Sequence, residues 1–131
     1  LRGLVAIFGD VWDNPNNALH VNNPDGTLVG AVQVVTSTVT TSAVTAATSS
    51  TTLIAANSNR VGLTIYNNST AICYVKYGNG ASLVDFSFAL GPIDSAGIGD
   101  LWEPPLMFVW TGPVTAIWSA VNGHAQISEF T

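Results

Sequence analysis

Side chains able to do acid–base, metal or nucleophilic chemistry are few in this chain and scattered along it. Two histidines, His20 and His124, lie near opposite ends of the 131 residues and lack the paired spacing from which a zinc site is built. Asp94, Asp100 and Glu103 fall on and beside a glycine-containing loop, where carboxylates and carbonyls can hold calcium. The segment DSAGIGD nevertheless lacks the ligand spacing and closing glutamate of a calcium loop, which favours ordinary loop acids. Acyl transfer needs a serine or cysteine against a base that a third group orients; serines abound, but no G-x-S-x-G elbow occurs. No pair of carboxylates stands out for glycoside hydrolysis. Cys73, the lone cysteine, excludes an intrachain disulfide framework. It falls on an alternating run, the setting of a small buried hydrophobe rather than a reactive thiol. The expectation is a protein without catalytic residues, metal or cofactor.

Four tryptophans offer a different chemistry. Trp12, Trp102, Trp110 and Trp118 could stack on sugar rings if exposed in a row, or fill a core and anchor an interface if packed. Trp118 lies in a clean alternating strand and is expected to pack. Trp102 and Trp110 flank the Pro104-Pro105 break and are open to either use, with packing or interface favoured. Asn67 and Asn68 begin overlapping N-x-[ST] sequons, a frequent chance motif that a turn already explains here.

Composition sharpens the contrast between little chemistry and much surface. Only 8% of residues are charged, against about 25% in an ordinary domain, while 47% are hydrophobic. So few charges leave much of the exterior better suited to a companion than to water. The net charge is -5, with Arg2, Arg60 and Lys76 as the only basic residues. Nucleic-acid binding, which rests on clustered cations, is therefore not expected. No run approaches the roughly 18 to 20 apolar residues of a helical membrane span, and Leu1–Phe8 lacks the basic start of a signal peptide. A first residue other than Met points to a removed start or a fragment.

The elements that must carry these residues read as strands. In RVGLTIYNNSTAICYVKY, Arg60 to Tyr77, the residues Val61, Leu63 and Ile65 share one face, then Ala71, Cys73, Val75 and Tyr77 do so again. Asn67-Asn68-Ser69-Thr70 between them predicts a turn, and the pair predicts an antiparallel hairpin. Leu28 to Val39 is rich in β-branched residues. Thr40–Ser50 is a Thr/Ser/Ala tract of low-complexity character in which Val44 and Thr45 suit a short edge strand, and Thr51–Ala56 offers Leu53 and Ile54 before the Asn57-Ser58-Asn59 turn. Leu83–Leu90 predicts a strand, Asp100–Glu103 a short one ended by the two prolines, and Val114–Val121 and His124–Phe130 a closing hairpin across Asn122-Gly123. No window has a helical period, so the expected fold is all-β: an antiparallel β-sandwich, jelly-roll-like, over residues 31–131. Residues 1–30 are broken by two proline-containing turn clusters. They predict an extended N-terminal arm, with the first strand of the sandwich as the alternative.

Several stretches together resemble a β-rich domain of tailed-bacteriophage virion proteins. They are Asn59-Arg60, Ile65-Tyr66-Asn67, Tyr74-Val75-Lys76-Tyr77, Ala116-Ile117-Trp118 and Ile127-Ser128-Glu129-Phe130, with WDNPNNALHVN (Trp12–Asn22) resembling the linker that precedes such domains. The likeness covers the C-terminal two-thirds well and the first third loosely, and GPIDSAGIGDLWEPPLMF departs from it as an insertion. Members decorate or cement capsids, or sit in necks and fibres, often as trimers. The resemblance therefore implies a capsid cement or decoration subunit on the virion surface, associating with itself as a homotrimer and with the major capsid protein. A carbohydrate- or receptor-binding module of a neck, tail or fibre is the alternative. The expected interface residues are Leu4, Val5, Ile7, Phe8 and Trp12 of the arm, with Trp102 and Trp110.

Overall fold

Leu63, Ile65 and Asn67 are buried, while Gly62, Thr64, Tyr66 and Asn68 between them stay half-exposed, as the period of an extended chain dictates. The same alternation, repeated along the sequence, builds the fold. A computed structural model describes residues 38–105 and 107–131, which fall in a compact unit spanning Ser37–Thr131. Among them are eight strands and no helix: β1 Val39–Thr45, β2 Thr51–Ile54, β3 Gly62–Asn68, β4 Cys73–Tyr77, β5 Phe88–Leu90, β6 Leu101–Trp102, β7 Val114–Trp118 and β8 His124–Phe130. The arm expected over residues 1–30 and most of the strand expected from Leu28 lie outside the described residues.

The strands form two antiparallel four-stranded sheets, one ordered β1-β8-β3-β6 and the other β2-β7-β4-β5. Both contribute to one sandwich-like core. Leu63, Ile65, Ala125 and Ile127 come from the first sheet; Leu53, Cys73, Val75, Leu90, Val114, Ala116 and Trp118 come from the second. Trp118 is the largest of the fully buried side chains, so its packing, expected from the alternation around it, holds.

Strand pairing departs from the sequence reading. β3 and β4 do not form a hairpin, nor do β7 and β8, because in each pair the two strands belong to different sheets. β3 is flanked instead by β8 and β6, and β7 by β2 and β4. Alternation fixes which face of a strand is apolar; it does not fix the neighbour. Asn67 shows why the turn after β3 crosses rather than reverses. Its buried amide donates to the carbonyls of Ala71 at 2.8 Å and Gly91 at 2.8 Å, with a longer contact to Leu90 at 3.2 Å. Its own carbonyl oxygen accepts from the Trp118 indole at 3.3 Å. These partners draw the chain over the end of the core. The neighbouring crossing is tied to it: Ser69 Oγ donates to the Asn122 carbonyl, and Ser119 N donates to the Ile72 carbonyl at 3.0 Å. The strand expected over Leu83–Leu90 is shortened to Phe88–Leu90, since Ser82 and Asp85 close a local turn on each other's backbone. The strand expected over Val114–Val121 ends at Trp118.

Candidate interaction surface

Trp102 projects inward from β6 and Phe88 inward from β5, so the two meet where the outer edges of the sheets face each other across the core. Their rings stack at 4.9 Å with an interplanar angle of 12°. Tyr77 lies against both and against Phe108 and Trp110, with centroids 5.6 to 5.7 Å away. Such edge and offset contacts are each worth about 0.5–1.5 kcal/mol beyond area burial. Burial pushes the Tyr77 phenol above its ordinary pKa. Trp102 and Trp110, both named as interface residues from the sequence, are thus half-buried members of an aromatic plug. One face of the Trp102 ring is already taken by Phe88, and the Trp110 indole donates to the Pro113 carbonyl at 2.8 Å. Leu4, Val5, Ile7, Phe8 and Trp12 lie outside the described residues.

The connection from β6 to β7 covers the plug and presents apolar groups outward. Pro104-Pro105 stops β6 after two residues, since neither can donate to a ladder. Met107 adopts a left-handed backbone with φ 67° and is fully exposed. That conformation is uncommon outside glycine and persists where its surroundings hold it. Phe108, Val109 and Leu101 are also exposed. Between this loop and the start of β3 lies a shallow cleft with an internal volume of about 10 Å³, bordered by Gly62, Leu63, Trp102, Phe108 and Trp110. It is smaller than the roughly 300–1,000 Å³ of small-ligand pockets.

Arg60 holds that loop in place. Its guanidinium is buried and donates from Nε to Glu129 Oε1 at 2.7 Å. It also donates to the carbonyls of Trp110 at 2.7 Å, Gly112 at 2.9 Å and Ala55 at 2.6 Å. Asn57 adds a second donor to Glu129 Oε1 at 3.1 Å. In the sequence Arg60 stands out only as one of three basic residues and as part of Asn59-Arg60, because its partners Trp110, Gly112 and Glu129 lie 50 to 69 positions away. The available signal was a lone arginine beside a strand in a chain with almost no charge.

The two sheets differ in what covers their outer faces. Over the second sheet folds the chain's own loop from β4 to β5. Ala81 is buried with its N–H on Thr115 Oγ1 at 3.1 Å, Phe86 packs on Tyr74 at 5.0 Å, and Lys76 pairs with Asp85. Among the described residues, the outer face of the first sheet bears no carboxylate, lysine or arginine. Ala43, Gln126, Tyr66 and Leu101 form one row across it, Thr41, Ser128 and Thr64 the next, and Thr45, His124 and Asn68 another.

Chemistry-bearing side chains elsewhere have structural partners. Asp94 Oδ1 accepts from the backbone of Ala96 and Ile98, and Asp100 Oδ2 from Gly91 N at 2.7 Å, so each carboxylate holds its own loop's backbone. His124 meets the Asn68 side-chain amide at 3.2 Å; His20 is outside the described residues. Among the described residues no three of His, Cys, Asp and Glu gather as a metal site would require. Cys73 is buried and its thiol is pushed up to about 12 by desolvation, which suits the inert role expected. Asn67, the first sequon residue, is fully buried. The chain matches no protein-family model, no curated protein and no solved structure.

Proposed function

We propose that this chain is a structural virion subunit, a capsid cement or decoration protein that binds the assembled shell and stabilises it without performing a reaction. The observation that carries the reading is the exposed apolar run Met107, Phe108 and Val109, with Met107 fully exposed in a left-handed conformation, together with a first-sheet outer face that carries no formal charge among the described residues. An exposed apolar patch of this kind gains free energy when a partner removes it from water. Binding only the assembled lattice would add that association energy to the stability of the shell. The fold is consistent with the same reading. First strand pairs with eighth, second with seventh, third with sixth and fourth with fifth, a nesting that we take as a jelly roll, an architecture of viral capsid and lectin domains. Self-association, as a homotrimer by the resemblance above, and contact with the major capsid protein complete the proposal. The arm residues Leu4, Val5, Ile7, Phe8 and Trp12 are assigned to that contact.

Cosedimentation with empty shells tests it. Purified chain should bind assembled shells saturably, leave unassembled shell protein unbound, and raise the temperature at which shells melt. Met107→Asp, on an exposed side chain, should weaken binding by on the order of tenfold or more. Equal binding by that variant, or none by wild type, would remove the cement reading. A glycan array run in parallel would instead support the recognition module if a sugar bound and Trp102→Ala or Trp110→Ala abolished it.

A further inference from the structure

We propose that β1 is a self-pairing edge, through which two copies join their first sheets into one continuous eight-stranded sheet about a twofold axis. The contact is separate from the shell-binding loop and does not depend on the reading given to it.

The four sheet edges among the described residues are not alike. β2 has four residues and a register shift, β5 has three, and β6 has two followed by a pair of prolines. Short strands, bulges and prolines are the usual protection of a sheet edge. β1 has seven residues, VTTSAVT, almost all exposed, with neither proline nor charge. Its hydrogen-bond phase shows which backbone groups have no partner among the described residues. Thr38 exchanges both backbone hydrogen bonds with Thr131, and Ala46 N donates to the Gly123 carbonyl. In an antiparallel ladder bonded pairs alternate, so Thr40, Ser42 and Val44 bond to β8, while Val39, Thr41, Ala43 and Thr45 turn their N–H and C=O groups outward.

Those four residues are self-complementary. An antiparallel pairing centred on Ser42 sets Val39 against the partner's Thr45 and Thr41 against the partner's Ala43, with the reciprocal pairs completing it. Every outward backbone group then has a partner. A twofold contact also brings each side chain near its own copy or its mirror position, so any charge there would meet a like charge. β1 offers none. The described carboxylates outside ion pairs, Asp94, Asp100 and Glu103, lie in or beside the connection into β6, at the opposite edge of the same sheet. The described acids outside ion pairs therefore do not oppose approach through β1. A twofold contact closes on pairs; in a trimeric subunit it would join one trimer to the next.

Ser42 gives the test, since it would face the partner's Ser42 as a non-hydrogen-bonded pair. Such pairs have Cα atoms about 4.5 Å apart, within disulfide range. Full-length Ser42→Cys should oxidise to a covalent dimer on a non-reducing gel at least about tenfold faster than Thr45→Cys, whose own copy would lie far along the strand. Native Cys73 is buried and does not compete. In sedimentation velocity, wild type should show concentration-dependent pairing. Ser42→Asp, which opposes two carboxylates, should weaken pairing on the order of tenfold or more with the melting temperature unchanged. If Ser42→Asp misfolds, the crosslinking rates alone decide. Equal rates for the two cysteine variants, wild type that stays monomeric, or an oligomer that a folded Ser42→Asp leaves intact would each overturn the proposal. A chain that pairs through β1 yet ignores shells leaves this inference standing and removes the cement reading; the opposite result does the reverse.

Discussion

Arg60 and Cys73 show how a single buried side chain sets behaviour in a chain with few charges. Arg60 joins β8 to the carbonyls of two connections, and its guanidinium has no exposed side-chain area. Replacing it with Met leaves Glu129 without its cation and three carbonyls without a donor. Breaking a buried pair from one side costs about 3–5 kcal/mol, so Arg60→Met should lose that much in urea denaturation. Restoring charge as Lys should recover only part, because an ammonium has three donors on one nitrogen and cannot span the four acceptors that the planar guanidinium fork reaches. Cys73 makes a prediction about pH. Its thiol goes from an ordinary value of 9.0 to about 12 on folding, so above pH 9 the unfolded chain releases the proton first. The stabilisation is complete below pH 9 and is lost as pH rises toward 12, by about 1.4 kcal/mol per unit. Urea midpoints should fall between pH 9 and 11, and fall less in Cys73→Ala.

At the scale of elements, the decisive feature is the passage from one sheet to the other. Asn67, next to last in β3, aims its amide at the Ala71 carbonyl just before β4 and at the Leu90 and Gly91 carbonyls at the end of β5. Asn67→Leu fits the space but leaves those carbonyls and the Trp118 indole unpaired, each costing about 1–3 kcal/mol. A loss of about 3 kcal/mol or more is expected in chemical denaturation, against less than about 0.5 kcal/mol for the exposed neighbour Thr70→Ala. Gly99 guards the same place from the other side, since a Cβ there would collide with the Asn67 carbonyl oxygen. Gly99→Ala should therefore displace the connection into β6, read as a lower melting temperature. Strand positions from Thr51 onward were largely legible, because a buried face writes its period into the residues. Partners were not. Asn67-Asn68-Ser69-Thr70 and Asn122-Gly123 carry the same turn chemistry whether the chain reverses within a sheet or crosses between two.

For the whole molecule, the distribution of charge matters more than its sum. Arg60 with Glu129 and Lys76 with Asp85 form the two ion pairs found among the described residues. The remaining described acids gather at the β5–β6 side, leaving the outer face of the first sheet and the β1 edge without formal charge. Association through these surfaces should therefore be insensitive to screening. The self-association constant measured by sedimentation should change less than about twofold between roughly 50 and 500 mM salt, whereas an interface built on exposed charges would weaken clearly over that range. A strong loss of association with salt would place the contact on the acidic side instead.

The sequence by itself determined the class of element, the inward face of each main strand, the burial of Trp118 and Cys73, and the scarcity of charge that points toward a companion. All of these are written in nearest neighbours or in composition, because side-chain direction along an extended chain repeats every second residue. Only the tertiary structure decided that the two apparent hairpins are crossings and that Trp102 and Trp110 close the core beneath an exposed methionine. It also joined Arg60 to Glu129, and set β1 apart as the longest sheet edge among the described residues. These depend on residues far apart in the chain meeting at one place, which no local period encodes.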